Sequence, residues 1–116
     1  MIALIAVAAG LGALSRFSVD QWVQRRVGLE FPYGTLLVNT SGSLLLGFLV
    51  GLPVHEELLL VLGTGFAGGF TTLSTVAWET VILAEKGRLT EAAANLAISF
   101  GAGLLAAAAG FGLAQL

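Results

Sequence analysis

Two polar patterns lie inside otherwise apolar sequence, and both suit the handling of an ion. The first is Gly63-Thr64-Gly65-Phe66-Ala67-Gly68-Gly69-Phe70-Thr71-Thr72-Leu73-Ser74-Thr75, within the apolar segment 58–84. That segment is long enough to cross a bilayer as a helix. Several close glycines make a regular helix costly in its middle. Irregular backbone at membrane depth is tolerated only where protein or a polar cavity satisfies it. The pattern predicts a helix broken near its middle, and broken membrane helices commonly hold ion or substrate sites. The second pattern is a pair of stripes with a residue at every fourth position. One is Thr35, Asn39, Ser43, Gly47 and Gly51; the other is Glu91, Asn95, Ser99, Gly103 and Ala107. Residues four apart share a helix face. Each stripe is polar in its first half and small in its second. The small ends suit close helix packing, and hydroxyls and amides can bond across the same interfaces. For Asn39 and Ser43 a polar track for a hydrated ion is the competing reading, because an amide deep in a membrane needs partners.

The elements that carry these residues must be membrane helices. Of 116 residues, 57% are hydrophobic and 10% charged, and mean hydropathy is +0.96. A soluble domain of this size needs far more surface charge. Five Lys and Arg with a net charge of −2 leave no basic patch for nucleic acid. Cysteine is absent, so there is no disulfide framework, thiol nucleophile or soft metal site. The single histidine, His55, sits beside Glu56 and Glu57 in a loop, with no second ligand at metal-binding spacing and no catalytic constellation. The chain is not read as an enzyme.

The start of the chain is apolar, and its first basic residue is Arg16. A signal peptide wants a basic region before its apolar run, so residue 2 onward reads as a retained membrane helix. Four spans follow, at about 2–23, 32–52 and 56–84, with the last running to the C-terminus. A polar connection covers 24–31, closed by Pro32, a residue favoured in the first helical turn. Glu85-Lys86-Gly87-Arg88 makes a short turn, and Thr90 is the expected N-cap of the fourth helix, with Glu91 in its first turn. No hydrophilic stretch is long enough for a second domain, so residues 1–116 form one. Arg25, Arg26, Lys86 and Arg88 fall at the first and third connections, whereas the second connection and both tails carry no Lys or Arg. The positive-inside rule puts the first and third connections in the cytoplasm. Arg16 and Glu79 are the most embedded charges, and such charges are usually paired or face water.

Three motifs in order resemble the small fluoride channels called Fluc or CrcB. They are Gly12-Ala13-Leu14-Ser15-Arg16-Phe17; Pro32-Tyr33-Gly34-Thr35-Leu36-Leu37-Val38-Asn39 followed by Gly42; and 65–72 followed by Ser74-Thr75 and Glu79. The match runs nearly end to end. It implies an all-α membrane protein of four helices, paired with a second subunit in the opposite orientation. It also implies two fluoride pores along the subunit interface, passive fluoride export that gives resistance to fluoride, and residence in the cell membrane as a multi-pass protein. A central structural sodium ion is implied at the third-helix break, held by the backbone carbonyls of Gly68 and Thr71. Carbonyls of an unwound helix can replace the hydration water of such a hard cation.

Fluoride is small and strongly hydrated, so a pore must replace water with hydrogen-bond donors. Asn39 offers an amide, and Thr35, Ser43 and Ser99 offer hydroxyls. No carboxylate is expected midway along the second or fourth helix to repel the ion. Arg16 suits a place near the mouth, raising local anion concentration, or a structural ion pair. Glu79 is expected to anchor the broken helix outside the pore. The chain departs from the family where Leu73 and Val76 stand at positions usually filled by phenylalanine, whose positive ring edges are thought to contact fluoride. Asn95 stands where tyrosine is common. Phe66 and Phe70 lie near the break at other motif positions and read as packing residues that border the pore. The missing rings and the one-sided charge leave two partners open, a second copy of the chain or an oppositely oriented paralogue. Two other functions stay in view. One is a small multidrug or cation exporter coupled through Asp20 or Glu79, and the other is a non-conducting subunit that completes a partner's pore.

Overall fold

Long apolar runs free of internal proline build the helices, and proline and glycine mark their ends. The computed structural model describes residues 1–28 and 30–116. Helix α1 spans Ile2–Val27 and α2 spans Tyr33–Gly51. The third span, Glu56–Glu85, begins with α3 (Glu56–Leu59), widens into a π-helical segment (Leu60–Ala67), and continues as α4 (Gly68–Phe70) and α5 (Leu73–Glu85). Helix α6 covers Leu89–Ala114. The described residues contain no strand. All four spans are long and apolar enough to cross a membrane. The long dimension of the molecule is 47 Å, which matches a bilayer with its headgroup regions. The chain is a multi-pass membrane protein.

Two expected boundaries move. Helix α1 does not stop near Val23; it runs on to Val27, with Arg25 and Arg26 in its last turn. Charge marks the edge of the membrane, not the end of the helix, and cations are favourable at a helix C-terminus. Gly28 ends the helix at φ 84, where only glycine is unstrained, and its N–H reaches the Gln24 carbonyl. At the other boundary the N-cap of α6 is Arg88, not Thr90. Gly87, at φ 77, closes α5 with paired bonds from Arg88 N to Leu83 O and from Gly87 N to Ala84 O. That turn delivers the chain into helical geometry one residue before Thr90. The Arg88 guanidinium then pairs with Glu91 in the first turn.

Alternate spans run parallel and pack through small residues. A Cβ at Gly47 would overlap the Ala107 carbonyl, and one at Gly110 would overlap that of Leu44. Helices α2 and α6 therefore touch backbone to backbone. Gly12 of α1 and Gly69 of the third span do the same against the Phe66 and Ala9 carbonyls. Such contact maximises dispersion where the lipid supplies no hydrophobic force between helices. Outward faces carry Leu4, Val7 and Leu11 on α1 and Leu104 and Leu105 on α6, all exposed.

Gly110→Val should cost at least about 1–3 kcal/mol, because the added atoms meet backbone that cannot move aside. Gly101→Ala, where nothing lies within 4 Å of an added Cβ, should change stability by less than about 0.5 kcal/mol. Equilibrium unfolding in mixed micelles measures both.

Candidate functional site

The third span bends where Thr71 and Thr72 leave helical geometry. Thr71 has ψ 158 and Thr72 has φ −151 and ψ 125. Two extended peptides inside a membrane span need partners, and Asn39 of α2 supplies them. Thr72 N donates to Asn39 Oδ1 at 2.7 Å, and Asn39 Nδ2 donates to the Thr72 carbonyl at 2.8 Å. The amide side chain meets the peptide as a second peptide would. Thr72 is also the N-cap of α5: its Oγ1 accepts from Thr75 N at 3.2 Å.

These two contacts release two carbonyls. In a continuous α-helix the Gly68 carbonyl accepts from Thr72 N and the Thr71 carbonyl from Thr75 N. Here the first N–H goes to Asn39 and the second to the Thr72 hydroxyl. The two backbone oxygens singled out as cation ligands are those whose helical donors are diverted. Neutral carbonyl oxygens fit a hard monovalent cation. Among the described residues no group of three or more His, Asp or Glu is placed to hold a metal.

Beside the bend a groove of about 600 Å³ runs between α2, the third span and α6. It brings together Asn39 and Ser43 of α2, Gly68, Thr71, Leu73 and Val76 of the third span, and Ser99 of α6. No carboxylate lines it. The groove is open on the molecular surface, where Leu73 is 66% exposed and Phe100 is also exposed. Val76, by contrast, is only 2% exposed. One amide hydrogen of Asn39 is spent on Thr72, and the second is left for the groove.

Other anticipated residues lie elsewhere. Thr35 is buried and donates its hydroxyl to Glu79 Oε2 at 3.1 Å. Glu79 Oε1 is buried without a partner. Glu79 lines a second pocket of about 220 Å³ with Asp20, Glu30, Tyr33 and Lys86. Phe66 and Phe70 stack on each other at 5.9 Å between centroids, and neither lines the groove. Arg16 is half-buried on α1. Among the described residues it forms no ion pair.

Three contributors were not singled out from the sequence. Thr72 supplies the backbone that Asn39 holds, and its spacing from Thr75 was a readable N-cap signal. Phe100 is the aromatic residue that lines the groove. Thr80 accepts from the buried Asn95 amide at 2.9 Å, a link between helices that no local pattern marks.

Asn39→Ala should leave the Thr72 N–H and carbonyl without partners and destabilise the chain by about 1–3 kcal/mol. Hydrogen–deuterium exchange at the Thr72 amide should accelerate markedly. Ser43→Ala should leave that exchange rate unchanged.

Comparison with known proteins agrees with this architecture. The family model described as CrcB-like protein, Camphor Resistance (CrcB), matches residues 3–111. The chain is 47% identical over 107 residues to a protein of Mycobacterium tuberculosis named fluoride-specific ion channel FluC 2, covering 92% of this chain and 85% of the relative. It is 46% identical over 110 residues to fluoride-specific ion channel FluC 1 of Rubrobacter xylanophilus, covering 94% and 89%. It is 44% identical over 116 residues to fluoride-specific ion channel FluC of Syntrophotalea carbinolica, covering 96% and 94%. With the family model and these relatives each spanning most of its length, the chain belongs to the CrcB family.

Proposed function

We propose that the chain is a subunit of a fluoride-selective channel that lets fluoride leave the cell passively and so confers resistance to it. The observation that carries this reading is the groove. Its polar wall is made of neutral donors, Asn39, Ser43 and Ser99, with no carboxylate among its lining residues. A fluoride ion that sheds water needs such donors and is repelled by carboxylates. The groove is open along one side, so a second subunit is required to close it into a pore. In this reading that subunit lies in the opposite orientation, as a second copy of the chain or as a paralogue. The family relation and the names of the relatives support the choice of ion.

Each residue has a distinct task in this scheme. Asn39 gives its free amide hydrogen to the ion while its other two contacts hold the bend. Ser43 and Ser99 extend the donor line. The carbonyls of Gly68 and Thr71 hold a structural sodium, which supplies positive charge between the subunits when bound. Thr35 ties α2 to α5 through Glu79, outside the groove, while Arg16 raises anion concentration near the mouth. Leu73 and Val76 bring no ring edge to the groove, which keeps a second reading open, that of a subunit that conducts only beside a partner supplying the rings.

Liposomes containing the chain alone should release fluoride and retain chloride. A chain silent alone and active with a paralogue would select the paired reading; silence in both settings would end the channel reading. Asn39→Asp replaces donors with a repelling charge and should reduce fluoride efflux by at least about a hundredfold, the loss of a charge-assisted bond plus repulsion.

The two ring-less positions now separate. Leu73→Phe extends an exposed side chain and should raise flux with assembly unchanged. Val76→Phe enlarges a buried one and should destabilise the fold by about 1–3 kcal/mol. Efflux rates and detergent melting curves on the two single variants check both.

A further inference from the structure

A hydroxyl on a helix has a ready partner in the carbonyl one turn back. Ser18, Ser41, Thr71 and Thr80 all take it, bonding the carbonyls of Leu14, Leu37, Ala67 and Val76 at 2.9, 2.7, 2.9 and 2.7 Å. Ser99 does not. Its Oγ faces the side chain of the residue one turn back, Asn95 Oδ1, at 3.5 Å. That separation is too long to hold the hydrogen firmly.

The Asn95 amide is fixed in orientation. Asn95 is only 2% exposed, and its Nδ2 donates to Thr80 Oγ1 at 2.9 Å. Thr80 has one hydroxyl hydrogen, and it goes to the Val76 carbonyl at 2.7 Å. The Thr80 oxygen can therefore only accept from Asn95, and the amide atom facing it must be the NH2. Oδ1 is thereby held on the Ser99 side. Asn95 is not among the residues that line the groove, whereas Ser99 is.

We propose that Asn95 is a positioning residue: it draws the Ser99 hydroxyl out of the back-bonded arrangement and keeps its hydrogen loosely held, ready for an anion in the groove. Without the Asn95 oxygen, Ser99 falls back to its neighbour's backbone carbonyl and the groove loses a donor. The identity of the anion rests on the channel reading above; the placement of the Ser99 hydroxyl does not.

The test has two arms. Solid-state NMR of the labelled chain in lipid reads the Ser99 χ1 rotamer in wild type and in Asn95→Ala. The variant should shift Ser99 to the back-bonded rotamer; an unchanged rotamer overturns the proposal. Fluoride efflux is then compared for Asn95→Ala, Ser99→Ala and the double variant. Each single change should lower flux about tenfold, the loss of one hydrogen bond to an ion, and the double should be no lower than Ser99→Ala. A double variant whose loss is the product of the two single losses overturns the proposal. Should Asn95→Ala fail to assemble, Thr80→Val frees the amide to turn its NH2 toward Ser99. Ser99 should then rotate and flux should fall, and an unmoved Ser99 rejects the idea. A wild type that carries no fluoride would reject the channel reading, while the rotamer arm still decides the role of Asn95.

Discussion

The two hydrogen bonds exchanged between the Asn39 side chain and the peptide groups of Thr72 are the contact on which the rest depends. An unpartnered backbone group at membrane depth costs several kcal/mol, so two extended residues survive there only if their polar groups are met. Asn39 meets a donor and an acceptor at once through two separate atoms, Oδ1 and Nδ2, which an ionised carboxylate or an aliphatic side chain cannot do. Because it does, α5 restarts at Leu73 with Thr72 as its cap, and the carbonyls of Gly68 and Thr71 are released. The groove takes its shape from the same event, since Leu73 and Val76 enter it from the restarted helix.

The parallel stripes of α2 and α6 resolve the two readings that their composition allows. Packing and polarity are not alternatives along these helices but successive zones. At Gly47 and Gly110 the backbones are in contact and the interface is dry and steric. Toward Asn39 and Ser99 the helices border the groove and their polar atoms face it. Close contact in one zone fixes the spacing in the other, so the width of the groove is set by glycines that do not touch its polar wall.

The fold was largely legible because its signals are local. Apolar length marks the four spans, Pro32 and Pro53 bracket α2, and the glycine density between Gly63 and Gly69 places the irregularity of the third span. The boundary at Val23 was misplaced because hydropathy was read as helicity, and the one at Thr90 because a capping side chain was read as the cap, whereas the Gly87 turn starts the helix at Leu89. The site was legible in part. Asn39, Ser43, Gly68, Thr71, Leu73, Val76 and Ser99 do meet in one groove. What a side chain does there depends on partners that spacing does not reveal. Thr35 has the same stripe position in kind as Asn39, yet its hydroxyl is committed to Glu79. Phe66 and Phe70 sit in the conspicuous motif, yet they stack together away from the groove, while Phe100 lines it from an unmarked place on α6.

Neighbouring residues on α5 are tied to different helices. Glu79 accepts from Thr35 of α2, and Thr80 accepts from Asn95 of α6. Successive residues point about 100° apart around a helix axis, so the two ties pull on α5 from different sides. Turning α5 in either direction would stretch one of them. Helix α5 is thus braced against rotation from two directions on this wall of the groove.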